Sequence, residues 1–173
     1  MPAGTQLYRI FRAARSPWWY SCDGSGRFDL PLPHGTCYFA ENPLAALLEV
    51  TRGLTLLSET FLHSRRLITA TLPRLQRIAD LTAASAYSYG VTAELSATAD
   101  YTAPHAWARE LHAAGFTGAR YRIRHDPRAD LTGIAWFGRA GRLRHPPPST
   151  RQPLPASLLL DAAPFGIRVA ADL

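Results

Sequence analysis

Thr36-Cys37-Tyr38-Phe39-Ala40-Glu41-Asn42-Pro43-Leu44-Ala45-Ala46-Leu47-Leu48-Glu49-Val50 changes its period midway. Thr36 to Ala40 is rich in β-branched and aromatic side chains and predicts one short strand. Asn42 then offers a side-chain oxygen to the unpaired N–H groups that open a helix, and Pro43 presets the first helical φ. Leu44, Leu47, Leu48 and Thr51 recur at helical spacing and form the buried stripe, before Gly53 ends the helix. Glu49 falls at the margin of that stripe.

Outward from this unit the elements stay short. Leu7 to Phe11 predicts a first strand, and Arg12 to Gly35 an irregular stretch too long for a simple connection, of the kind that carries function. Leu67 to Leu72 reads as a strand, and Asp80 to Asp100 as short helices or loops. Thr102 and Pro104 start a helix that runs past Trp107 and Leu111 to Gly115. Ala119 to Arg124 alternates strictly, with Ala119, Tyr121 and Ile123 on one face and Arg120, Arg122 and Arg124 on the other. Leu131 to Phe137 predicts a buried strand. Arg139 to Pro155 reads as a Pro- and Arg-rich strap, and Ser157–Leu160 with Gly166–Ala170 as closing strands. Without regular βαβ alternation this order predicts an α+β fold, not a doubly wound sheet. No Gly-x-Gly-x-x-Gly follows a strand.

A chain of 173 residues, 47% of them hydrophobic, fits a single domain over 1–173 with a core of its own. Cys22 and Cys37 are too few for a disulfide framework and lack metal-ligand spacing, so no metal is expected. The six histidines show no such spacing either. No signal segment and no run of about 18 apolar residues is present, which predicts a cytoplasmic protein. All 19 basic residues are arginine against 13 acids, a net charge of +6. That balance favours anionic partners without choosing among nucleotides, phosphate, RNA or an acidic protein. The absence of lysine excludes Schiff-base and P-loop lysine chemistry. The strap lacks the stacking aromatics of RNA recognition, so no direct nucleic-acid binding is expected.

Several residues carry chemistry, each with a plainer alternative. Arg27 lies in Gly24-Ser25-Gly26-Arg27-Phe28-Asp29, where glycines admit close backbone approach and a guanidinium offers a fork for phosphate; an ordinary turn with a solvated arginine is the alternative. Arg9 shares a face with Leu7 and Phe11, so it needs a partner: a ligand, or an internal ion pair with Glu49. Glu49, at the edge of an apolar face, suits stabilisation of an oxocarbenium ion or orientation of a nucleophile, or is a surface glutamate. The arginines of 120–124 contact phosphates or form a solvated face. His34, His105 and His125 stand near these segments.

The arrangement resembles the RES-domain family, named for an arginine, a glutamate and a serine. Leu7-Tyr8-Arg9-Ile10 is similar to its opening strand, Gly26-Arg27-Phe28-Asp29 to its Gly-Arg-aromatic-Asn/Asp loop, Cys37-Tyr38-Phe39-Ala40 to its Tyr-x-Ala strand, and Ala45–Val50 to its glutamate-bearing helix. Arg27, Tyr38 and Glu49 follow one another at the family's interval of eleven residues. Ala108–Gly118, Tyr121–Pro127 and Ile134–Arg139 continue the likeness, which spans 7–141 and leaves 142–173 as strap and closing strands.

The resemblance implies an ADP-ribosyltransferase-like fold, two small sheets around an NAD cleft with flanking helices. It implies an enzyme that degrades NAD by phosphorolysis or hydrolysis, a glycohydrolase or phosphorylase with NAD as substrate, phosphate as its co-substrate in the first case, and no cofactor. Such proteins commonly act as toxins paired with a helix-turn-helix antitoxin. Arg9 and Arg27 would hold pyrophosphate or an attacking phosphate. Tyr38 would pack on or hydrogen-bond the nicotinamide ribose, with Phe28, Arg122 and Ile123 around the ligand, and Glu49 would stabilise the ribosyl cation or position the nucleophile. Ile123 stands where the family has its serine and can neither donate nor accept a hydrogen bond. That departure leaves two further readings: a transferase or biosynthetic enzyme of the same fold with another acceptor, or an inactive nucleotide binder.

Overall fold

The strand and the capped helix of Thr36–Val50 form as read. In the computed structural model, which describes residues 1–171, β1 covers Gln6–Arg12, β2 is the short Trp19–Tyr20, and β3 covers His34–Ala40. Helix α1 spans Pro43–Thr51; Asn42 Oδ1 accepts the Ala45 N–H at 2.7 Å, and Arg52 closes the helix in the left-handed region at φ 52°. Next come β4 (Leu56–Ser58), α2 (Glu59–His63), β5 (Arg65–Thr71) and β6 (Ile78–Asp80). A 3-10 helix over Ala84–Tyr89 and α3 (Ala93–Ala97) occupy the Ala/Thr-rich region. Then follow α4 (Thr102–Ala113), β7 (Gly118–Arg122) and β8 (Thr132–Arg139). The strap contributes β9 (Gly141–Arg142) and β10 (Ser149–Gln152), followed by α5 (Ala156–Ala162) and β11 (Arg168–Ala170).

Seven strands form one sheet in the order β10-β5-β1-β3-β8-β7-β6. Its middle is almost open. β1 pairs with β5, and β3 with β8, over seven residues each, but β1 and β3 share the single registered pair Tyr8–Ala40. The sheet is therefore two half-sheets, of three and four strands, joined at one pair, which is how the two small sheets expected from the sequence are realised. Helix α1 spans that joint. Its Ala45, Ala46, Leu47 and Leu48 pack with Ile10 of β1, Ala40 of β3 and Leu158 and Ala162 of α5. Burying a leucine is worth about 1.5–3 kcal/mol, so this seam fixes α1 firmly against both halves. On the opposite face Leu7, Phe11, Trp18, Cys37, Phe39 and Trp136 form a second cluster; Phe28, Ala108, Ala119, Tyr121 and Phe137 form a third on the α1 side of the sheet.

Two sequence expectations are corrected here. Ser157–Leu160 is not a strand but lies in α5, where Leu158 and Ala162, one helical turn apart, are the buried positions. A short apolar run has no period that separates helix from strand. β11 does form, but it pairs in parallel with β4, in a two-stranded sheet apart from the main one. Among the described residues no helix is long and apolar enough to cross a membrane.

Candidate active site

Below Tyr8–Ala40 the half-sheets part, and a cavity of about 470 Å³ opens there. Arg9, Arg27, Tyr38 and Glu49 all line it, so residues from two strands, a loop and a helix meet in one place. Also in its wall are Arg52, Tyr101, Tyr121, Arg124 and His125. Among the described residues four arginines therefore surround one carboxylate, and a ligand that balances them is an anion with more than one charge.

Glu49 projects from the last turn of α1 toward Arg27 and Arg52, and the Tyr121 hydroxyl donates a hydrogen bond to it. Burial pushes its carboxyl above the usual glutamate range; the charges of Arg27 and Arg52 and the Tyr121 hydrogen bond pull it back. Burial also pushes the Tyr121 phenol well above its ordinary range, with the Glu49 charge adding to it, so the phenol stays a donor. His125 is held below the usual histidine range by burial first, then by the charges of Arg124, Arg27 and Arg52. It is neutral near pH 7.

The loop before β3 is built around Asp29 and Tyr38. The Tyr38 hydroxyl donates to Asp29 Oδ1 and accepts the Phe28 N–H, both at 2.8 Å. Asp29 Oδ2 accepts the Gly26 N–H at 3.0 Å and the Ser21 hydroxyl at 2.9 Å. A Cβ on Gly26 would lie 2.5 Å from both Tyr38 Oη and Asp29 Oδ1, so glycine alone fits. With its hydroxyl thus engaged, Tyr38 offers the cavity its ring, while its hydrogen bonds set Arg27. Arg27 is 8% exposed; it donates to the Thr98 carbonyl at 2.6 Å and its guanidinium lies 4.9 Å from the Tyr101 ring centroid. His105 Nε2 meets the Gly26 carbonyl oxygen at 2.9 Å and so buttresses the loop, not the ligand.

Arg9 reaches the cavity wall but makes no ion pair with Glu49. Its Nη1 donates to the Pro17 carbonyl at 2.7 Å and to Cys37 Sγ at 2.6 Å. Three expected contacts are corrected. Phe28 is fully buried against Tyr121, ring centroids 5.1 Å apart, and does not line the cavity. Arg122 is exposed, donates to the Ala129 carbonyl, and faces away because alternation sets it opposite Tyr121. Ile123, 2% exposed, packs in the α1 cluster instead of lining the cleft, because β7 ends at Arg122 and the chain turns.

That turn also splits the arginine stripe. Arg120 pairs with Glu41 at 2.8 Å and Asp80 at 3.2 Å, a brace between β3, β6 and β7, whereas Arg124 enters the cavity wall. His34 lies tilted against His112, ring centroids 4.4 Å apart, outside the cavity. Arg52, Tyr101 and the Tyr121–Glu49 bond were not foreseen. Only Arg52, beside the helix-stopping Gly53, had a signal. Among the described residues no three His, Cys, Asp or Glu side chains are grouped to hold a metal.

A family model of the RES domain matches residues 6–157. Among solved structures, a chain of the M. tuberculosis MbcT–MbcA toxin–antitoxin complex superposes with a TM-score of 0.63 at 20% identity, covering 88% of this chain and 86% of that one. This is a likeness of fold. No curated protein sequence matches.

Proposed function

The chain belongs to the RES-domain family, matched over residues 6–157, and from that premise we propose that it binds NAD and cleaves the nicotinamide–ribose bond. One observation carries the proposal: among the described residues the cavity between the half-sheets holds a single carboxylate, Glu49, hydrogen-bonded by Tyr121 and set among Arg9, Arg27, Arg52 and Arg124.

Each part suits a step of that reaction. The guanidinium groups match the two negative charges of the pyrophosphate. As the C1′–N bond breaks, its electron pair goes to the pyridinium nitrogen, neutral nicotinamide departs, and positive charge moves onto the ribose. Glu49 stands ready to stabilise that charge, and the Tyr121 hydrogen bond keeps the carboxylate oriented. Attack at C1′ by water gives ADP-ribose and a proton; attack by phosphate gives ADP-ribose 1″-phosphate. The arginine-rich wall accommodates a phosphate nucleophile as well as the pyrophosphate.

Incubation of the purified protein with NAD, with and without phosphate, tests the reading by product mass. Release of nicotinamide that depends on Glu49 is expected. Intact NAD after prolonged incubation under both conditions would overturn it. By likeness to the solved toxin–antitoxin complex, the reading extends to a toxin held by an antitoxin protein, expected to be of helix-turn-helix type and to act with it in the cytoplasm. Co-expression with a candidate helix-turn-helix antitoxin, followed by co-purification, tests it.

A further inference from the structure

Water that attacks C1′ must lose a proton, and the cavity wall offers few groups to take it. Among the described residues its titratable side chains are four arginines, four tyrosines, Glu49 and His125. A guanidinium has no acceptor to offer, and near neutral pH a phenol gives a proton instead of taking one. Three of the four phenols are already engaged as donors: Tyr8 to Gln6 at 3.0 Å, Tyr38 to Asp29 at 2.8 Å, and Tyr121 to Glu49. Glu49 accepts that last bond and faces Arg27 and Arg52. A carboxylate that took up the proton would surrender the charge that the ribosyl cation needs. His125 is left.

The chain fixes His125 in place and leaves its ring free. Just beyond β7 the Asp126 N–H donates to the Ile123 carbonyl at 3.2 Å. The buried Asp126 carboxylate accepts the N–H groups of Arg128 at 3.1 Å and of Asp130 and Leu131 at 2.8 Å, which ties the turn carrying His125 to itself. Gly53 clears the space for the imidazole, since a Cβ there would lie 3.3 Å from its Nδ1. Among the described residues no protein group hydrogen-bonds the ring, and the charges that act on it are those of Arg124, Arg27 and Arg52. Cations beside an imidazole favour its neutral form, the form with a lone pair to offer.

We infer that His125 is the general base that deprotonates the attacking water, and that it thereby sets the balance between hydrolysis and phosphorolysis. The inference rests on the NAD reading and deepens it. In hydrolysis a lone pair of the water oxygen forms the new bond to C1′, the C1′–N pair leaves with nicotinamide, and the water proton passes to the unprotonated ring nitrogen of His125. The imidazolium so formed sits among arginines and hands the proton to solvent. Phosphate dianion needs no base, because its attacking oxygen already carries charge and no proton has to leave it. His125 thus serves one nucleophile, and the arginine wall the other.

His125→Ala and His125→Gln, assayed on NAD with and without phosphate, separate the two courses by product mass. Without phosphate, ADP-ribose formation should fall roughly a hundredfold in both variants, as expected for loss of a general base. With phosphate, formation of ADP-ribose 1″-phosphate should stay close to the parent rate. Added imidazole, entering the space left in His125→Ala, should restore ADP-ribose formation there and not in His125→Gln. Hydrolysis as fast in the folded variants as in the parent would overturn the inference and leave the water to Glu49. So would a loss shared equally by hydrolysis and phosphorolysis and untouched by imidazole, which marks a structural residue. A parent that forms the 1″-phosphate but no ADP-ribose overturns this inference alone, whereas a parent that leaves NAD intact under both conditions overturns the cleavage reading with it.

Discussion

Burial holds the Glu49 carboxyl above the usual glutamate range, against the pull of Arg27, Arg52 and the Tyr121 hydroxyl. A carboxylate kept costly in this way is positioned for a charge that develops only in the transition state. Glu49→Gln should therefore lower kcat by roughly two or more orders of magnitude, about 2.7–4 kcal/mol, and leave the affinity for NAD nearly unchanged; steady-state kinetics with a binding titration measure both. The same group sets a pH dependence of stability. With the folded pKa raised, the native state binds more protons than the unfolded chain between the ordinary glutamate value and the raised one, so stability falls as pH rises through that window. Glu49→Gln removes this loss. Its melting temperature relative to the parent should climb from acid to neutral pH, and a difference that shrinks instead would show that the arginines, not burial, dominate Glu49. Glu49 itself was legible in the sequence, because a charge at the margin of an apolar stripe is conspicuous. Tyr121 was legible as a face of β7, but not as the donor to Glu49, since that bond joins a strand to a helix more than seventy positions away and no local pattern encodes it.

At the scale of elements, alternation and capping carried most of the reading, and alternation failed where a strand ended. The Asn42 cap and Pro43 placed α1 correctly, whereas strict alternation through Arg124 overran β7, which stops at Arg122. The consequence falls on Ile123. The backbone N–H of Ile123 donates to the Leu131 carbonyl at 3.0 Å, and its side chain belongs to the cluster with Ile10, Ala40, Leu47 and Leu48. Restoring the family serine there would leave a cavity and bury a hydroxyl, so Ile123→Ser should cost about 2–5 kcal/mol of stability without raising turnover. Denaturant unfolding alongside an NAD assay checks this, and a stable, faster variant would place position 123 in the site after all. Arg124 became a site residue through the same chain reversal that withdrew Ile123. The order of elements gave the α+β class, but the half-open joint between β1 and β3 depends on which strands pair, which sequence order does not specify.

On the scale of the whole molecule, that joint decides how a ligand acts on the fold. Because Tyr8–Ala40 is the one registered pair between the halves, a molecule lying in the cavity contacts β1 on one side and β3, α1 and the Arg27 loop on the other. It supplies contacts that the strand pairing omits. A ligand bound only by the native state stabilises by about 2.7 kcal/mol at a hundred times its Kd, which in a domain of this size raises Tm by roughly 5–10 °C. ADP-ribose, which needs no turnover, should produce such a shift. The cause of that shift separates two electrostatic accounts. If the net charge of +6 simply attracts anions, neutralising any arginine weakens the response about equally, and salt suppresses it in every variant alike. If the recognition is local, Arg27→Gln removes most of the shift, because Arg27 is buried in the cavity wall. Arg144→Gln, at an exposed position outside the cavity, should then retain the shift and its salt dependence. Thermal denaturation of both variants with ADP-ribose decides between the accounts, and equal losses in the two would move the source of affinity from the cleft to the surface as a whole.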